Sequence, residues 1–213
     1  MGENNMFNYV ALTAATCPFS NRQAALETMH AFAQDCREHG AGRVLFGNVI
    51  SGRYPDHLLF IQQFERLENF QNVVEMIPSN KNYGKMANEL GVAVTGRNIM
   101  QVKDVPFDPV LEPKPEYLAL TFAHLKNQDE QTFLGHMRDS ATVFKSNGAQ
   151  TLRMARIFSG DPVGAYVLGV TYPNMEAIDK TYLGLAGHAP FQTMAQGIDV
   201  QMRSITKIAG LLA

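Results

Sequence analysis

The groups in this 213-residue chain that could do chemistry are six histidines, two cysteines and a few polar side chains set into apolar segments. His188 lies in "GLAGHAPF", where glycines and a proline interrupt an otherwise helical pattern. An imidazole in such a break suits proton abstraction; a plain surface histidine is the alternative. Arg153 and Arg156 stand in "TLRMARIF", among Leu152, Met154 and Ala155. A guanidinium is too costly to bury unpaired, so each reaches solvent, pairs with a carboxylate or binds an anionic ligand. Strand side chains three apart point to opposite faces, so at most one of these arginines faces a common interior. Asn48 occupies the place of Arg156 in the related segment "RVLFGNVI". Tyr9, Tyr117, Tyr166 and Tyr172 offer hydroxyls that could orient a ligand, or else form aromatic core with satisfied hydroxyls.

Several other chemistries are excluded or unsupported. In "GAGRVLFGNVISG" the close glycines Gly40, Gly42 and Gly47 invite a phosphate-loop reading. That motif needs strand, glycines, then helix, whereas here the glycines follow a helix and precede a strand. No HxH, HExxH or ExxH spacing is present, and "CREH" has two ligand types at a helix end with no partner set, so no metal is expected. There is no G-x-S-x-G, and Cys17 before Pro18 has no base nearby in sequence. A net charge of −2 and the lack of basic runs interleaved with aromatics exclude nucleic acid as a partner. No apolar run approaches the ~18 residues of a membrane span. The opening "MGENNMFNYV" shows no signal-peptide pattern, and Met6 stands where a myristoylation motif wants Ser or Thr. Two cysteines make no disulfide framework, so a cytoplasmic protein with inert thiols is expected.

The elements that must position these residues come in two copies. A shift of 108 residues sets "YVALTAAT" at Tyr9 on "YLALTFAH" at Tyr117, and "GAGRVLFGNVISG" on "GAQTLRMARIFSG". The register holds without a gap for about eighty positions, the mark of a duplicated unit. After a two-residue deletion Arg97 meets Arg203, which predicts a shared structural ion pair. Between the copies, "VPFDPVLEPKPE" carries four of the ten prolines and reads as an extended connector. The expected division is therefore 7–104, a linker at 105–114, and 115–208.

Within each copy the periodicities agree. In "YLALTFAH", Leu118, Leu120 and Phe122 point one way and Tyr117, Ala119 and Thr121 the other. A helix follows, with Ser20 and Gln23 placed for a capping box and Leu26, Met29, Ala33 and Cys36 as its apolar stripe. Its second copy carries Leu134, Met137, Ala141 and Phe144, and the two helices end at Gly40 and Gly148. Two strands joined by "SGRYPD" or "SGDPVG" come next, then a helix broken near Pro78 or Gly187, then "RNIMQV" or "RSITKI".

The order βαββαβ, twice, predicts an α+β fold of two ferredoxin-like sheets, each covering the other's bare apolar face. With this topology, the duplication and the His-containing break "GLAGHAPFQTMAQGI", the chain resembles the dimeric α+β barrel superfamily in fused, pseudo-dimeric form. That group includes antibiotic-biosynthesis-type monooxygenases, muconolactone isomerases, stress-responsive A/B barrel proteins and NIPSNAP-like proteins. The resemblance implies a small enzyme performing cofactor-independent oxygenation or isomerisation of an organic substrate in the barrel cavity. His188 would then be the base at the barrel mouth, Arg156 the anion stabiliser, and Tyr117 and Tyr166 orienting groups. Arg153, Asn48 and Tyr9 would contact substrate. Some members bind haem; no residue pattern here calls for it, and no cofactor is expected. The rival reading is a non-catalytic binding or assembly module with a packed barrel, since fold alone does not assign function. The partner expected is a small organic molecule, and the apolar end "IAGLLA" reads as a docking contact that a homo-oligomer could use.

Overall fold

A computed structural model describes residues 7–213. The opening residues, including Met6, lie outside the described residues. Strands β1 (Tyr9–Thr16) and β5 (Tyr117–Leu125) begin the two halves. Each leads to a long helix, α1 (Arg22–Glu38) or α4 (Glu130–Ser146). The hairpins β2 (Arg43–Ser51) with β3 (Leu58–Phe64), and β6 (Thr151–Ser159) with β7 (Tyr166–Tyr172), follow. The next helix comes in two pieces in each half: α2 (Leu67–Met76) and α3 (Lys81–Asn88), then α5 (Met175–Ala186) and α6 (Ala189–Gln196). The last strands are β4 (Ala93–Lys103) and β8 (Ile198–Leu212).

The eight strands close into one antiparallel barrel in the order β1-β3-β2-β8-β5-β7-β6-β4. Two seams, β2 with β8 and β4 with β6, join the halves and leave no open sheet edge. Because neighbours alternate in direction, β1, β2, β5 and β6 all begin at the same end of the barrel. Strands β1, β3, β5 and β7 are covered on both faces, which explains why their sequences are apolar almost throughout, whereas β4 and β8 are more exposed and more polar. Leu118, Leu120 and Phe122 point into the barrel with Val10, Leu12 and Ile61. Ala119 points outward into a core shared with Phe133, Met137 and Phe144 of α4. The first half builds the matching outer core from Met29, Phe32, Phe46, Phe60 and Phe64. Three apolar layers therefore stack through the molecule: helices, barrel interior, helices.

Local signals mostly act where the periodicities place them. Gly40 and Gly148 end α1 and α4 with φ of +107° and +93°, a region other residues enter only at a cost. The start of α1 differs from expectation. A 3-10 turn at Phe19–Asn21 precedes it, Asn21 is the N-cap, and no side chain caps the helix. Ser20 instead bonds Asn21 Oδ1 at 3.2 Å, because the extra turn rotates its hydroxyl away from the α1 amides. The C-terminal "IAGLLA" also corrects its reading as a docking contact. Ile208, Gly210, Leu211 and Leu212 extend β8 and pair with β2, so this apolar end closes a seam within the chain.

Candidate functional site

Three interior spaces border residues with chemistry. The central one lies inside the barrel, walled by Leu12, Leu45, Ile61, Leu118, Leu120 and Val167. About 80 Å³ of it is open to the centres of water-sized groups, and one such group needs roughly 10–15 Å³. All its polar lining gathers at the end where β2 and β6 begin: Arg43, Gln63, Thr151, Arg153 and Thr171. Arg43 is the first residue of β2 and Arg153 the third of β6. In the closed ring these strands stand four places apart, so the two arginines approach from opposite walls. Gln63 lies beside Arg43 in the β2–β3 register, and Thr151 bonds Thr171 through their hydroxyls at 2.8 Å. Leu111 and Pro115 of the connector and Leu211 of β8 complete the rim.

The electrostatics of this end are one-sided. Burial lowers the pKa of Arg43, and the nearby Arg37 charge lowers it further. Burial likewise lowers that of Arg153, with the Arg43 charge adding to it. The Nε of Arg43 and Oε1 of Gln63 are buried without a hydrogen-bond partner. Among the described residues, no Asp or Glu lines the cavity. A folded-state pKa below the unfolded value means the cation is destabilised on folding at every pH below the folded pKa, neutral pH included. Replacing Arg43 with Met is therefore expected to raise the Tm at pH 7 by about 2–4 °C. Scanning calorimetry measures this, and a lowered Tm would show that Arg43 makes a stabilising contact instead.

The other two spaces lie between each half-sheet and its helices, with about 50 Å³ open in the first half and 40 Å³ in the second. Arg97 and Arg203 line them, and neither forms the ion pair their recurrence predicted. Arg97 Nε donates to Thr13 Oγ1 at 3.0 Å, and the Arg203 guanidinium lies 5.5 Å from the Tyr182 ring centre. These cavities offer a hydroxyl or a ring where the cations arrive, and no carboxylate lines them. Behind the first one, burial pushes the Cys36 thiol up to about 12, which makes it inert.

The remaining candidates are dispersed. Arg156 faces outward, 3.6 Å from the Glu130 carboxylate and 5.6 Å from the Tyr166 ring centre. Lys103 reaches the same carboxylate at 2.6 Å. The Lys103 hydrogen bond is the largest influence holding the Glu130 carboxyl below its usual range. Burial and then the Glu130 hydrogen bond push the Tyr166 phenol up to about 12. Tyr117 lies 4.3 Å beneath Lys207 Nζ, and Tyr9 packs edge-on against Phe158. Asn48 donates to Val49 O at 3.4 Å, and its Oδ1 is buried without a partner. His188 is the N-cap of α6, with a buried, unpartnered Nε2, and lines none of the three cavities. The structure thus unites Arg156 with Tyr166, and Arg153 with Arg43, but joins His188 to neither pair. Arg43, Gln63, Thr151 and Thr171 escaped the sequence reading. Arg43 and Leu45 share a face of β2 by strand alternation, but only the barrel's closure puts that face opposite Arg153.

The model of a domain of unknown function, DUF6854, matches residues 7–102 and again 115–208. No curated protein of known function matches the sequence. Among solved structures, one from Lactobacillus acidophilus NCFM described as a "putative monooxygenase" superposes with a TM-score of 0.66 at 12% identity, over 97% of this chain and 96% of that one. A heme-binding protein from Thermus thermophilus does so with 0.63 at 10% identity, over 96% and 92%. A mutant chlorite dismutase from Candidatus Nitrospira defluvii gives 0.62 at 9% identity, over 98% and 96%. At these identities the shared property is the fused α+β barrel fold. The residues here do not fit a haem. A porphyrin needs a pocket of several hundred Å³, whereas the three cavities are open over only about 40, 50 and 80 Å³.

Proposed function

Since the chain belongs to the DUF6854 family, with one copy of that domain in each half, we propose an activity drawn from its own interior. It is a small-molecule enzyme of cofactor-independent monooxygenase or isomerase type, acting on an organic substrate in the barrel cavity. The observation that carries this reading is the cavity itself: apolar walls with two arginines facing each other at one end. A dry apolar space strengthens every electrostatic contact made inside it. Guanidinium groups there stabilise the anion of a substrate with an acidic C–H or O–H bond. That anion is either reprotonated at another carbon, which is isomerisation, or adds dioxygen as co-substrate at carbon, and the hydroperoxide so formed breaks its O–O bond with loss of water to leave a carbonyl. No His, Asp or Glu among the described residues lines the cavity, so the substrate is one acidic enough to enter already ionised, such as a 1,3-diketone or an acidic phenol. Arg153 keeps its proposed role in substrate binding. Arg156 and Glu130 we read as a surface ion pair, beneath which the buried Tyr166 phenol bonds Glu130 and lines the second-half cavity. The two free thiols support a reducing, cytoplasmic setting.

One observation favours the rival reading, a non-catalytic module: the cavity as it stands takes only a short chain. The two are separated by incubating the purified protein with a panel of enolisable ketones and phenols in air. Oxygen consumption and product mass are followed. Turnover that depends on the open cavity is expected. Inertness toward the whole panel, with the protein folded, overturns the enzymatic reading.

A further inference from the structure

We infer that the barrel mouth is a site for a small organic carboxylate, with the head group held between Arg43 and Arg153 and a short apolar tail inserted into the barrel. This inference deepens the proposed function and rests on the same cavity, but it concerns recognition rather than turnover. Four features of the structure lead to it. The two arginines come from opposite walls, one from each half, so neither half alone makes the site. Both are half-buried and both line the cavity, in a place where like charges repel and, among the described residues, no acidic side chain is in the lining. The neighbouring polar groups complete a carboxylate site: the Gln63 side chain lies beside Arg43, and the hydroxyls of Thr151 and Thr171 lie near Arg153. Below this ring the walls are purely apolar, which penalises a second charge and rewards a hydrocarbon tail.

Size and shape select the class further. The open volume of about 80 Å³ corresponds to roughly five to eight water-sized groups, enough for a short hydrocarbon chain. A guanidinium presents its N–H donors as a planar fork that matches the two oxygens of a carboxylate. Two such forks facing each other favour one planar anion between them. A cation is repelled by the pair, and a neutral head group leaves the repulsion between them in place. The ligand therefore relieves that repulsion, which also contributes to making Arg43→Met stabilising in the free protein.

The test uses the full chain and isothermal titration with hexanoate, hexan-1-ol, hexylamine and inorganic phosphate. Hexanoate is expected to bind at least tenfold more tightly than hexan-1-ol, and hexylamine and phosphate not measurably. Arg43→Gln and Arg153→Gln should each weaken hexanoate binding by tenfold or more. Lys180→Gln, in a surface pair with Glu176, should leave it unchanged. Circular dichroism checks each variant's fold, and Arg43→Lys serves as a second, milder probe of the head-group contact. Equal binding of hexanoate and hexan-1-ol, or phosphate displacing hexanoate at matched concentration, overturns the inference while leaving a barrel-cavity enzyme standing. Hexanoate binding without turnover of any panel substrate does the reverse. No binding by any of the four sinks the inference outright.

Discussion

Ala155→Trp is expected to abolish uptake of hexanoate, with at least a hundredfold loss of affinity, in a protein that remains folded. Ala155 is buried in the barrel wall, paired with Val167 on β7 and Val102 on β4, and lines the central cavity two residues beyond Arg153. An indole there occupies the space a ligand tail would enter, while both arginines stay in place. Overpacking costs about 1–3 kcal/mol, against a stability of about 5–15 kcal/mol for a native domain, and the existing void absorbs part of it. The chain contains no tryptophan, so the introduced indole is also a clean fluorescent reporter. A blue-shifted emission would place it in the dry interior. Undiminished hexanoate affinity together with blue-shifted emission would falsify the location of the site inside the barrel. Leu118→Ala is the complementary variant. It widens the same cavity at a cost of about 2–5 kcal/mol and should shift preference toward longer carboxylates.

The largest effect on stability is expected at the seams between the halves. Gly52 and Gly160 follow β2 and β6 at equivalent positions, with φ of +124° and +117°. A Cβ on Gly160 would lie 2.0 Å from Asn98 Oδ1 and 2.7 Å from Arg97 O, both in the other half. On Gly52 it would lie 2.6 Å from Arg203 O, again across the seam. Asn98 is itself committed to this turn: its Oδ1 accepts from Asp161 N at 2.8 Å and its Nδ2 donates to Asp161 O at 3.1 Å. Gly160→Ala therefore combines backbone strain of about 1–3 kcal/mol with a steric clash of similar size. A loss of about 4 kcal/mol corresponds to roughly 8–16 °C in Tm for a chain of this length. Gly164→Ala is the control, because Gly164 has φ of +84° with nothing within 4 Å of its added Cβ. Calorimetry on the two alanine variants decides the matter. If Gly160→Ala costs no more than Gly164→Ala, the seam contact carries no stability.

Much of the fold was legible because it depends on local periodicity. Alternation in "YLALTFAH" assigned Leu118, Leu120 and Phe122 to one face, and the structure puts that face in the barrel. The echo of Gly40 at Gly148 marked two helix ends and disclosed the duplication. The alternation of Arg153 and Arg156 separated them onto opposite faces, as observed. Local signals failed where a distant element overrode them. The apolar "IAGLLA" looked like a surface contact, because no short-range feature reveals that β2 offers it an unpaired edge. Arg97 and Arg203 recur without ion pairs, because the duplication preserved their cavity neighbours Thr13 and Thr121 rather than carboxylates.

By itself the sequence determined the duplicated βαββαβ order and the two faces of its most regular strands. Periodicity states on which side of its sheet a residue lies, and repetition states how many sheets there are. Only the tertiary structure decided who faces whom. Arg43 and Arg153 are 110 positions apart and inequivalent in the repeat, so no pattern links them. They share a site because two seams close the ring and set β2 opposite β6, an arrangement fixed by long-range strand pairing and the burial of three apolar layers.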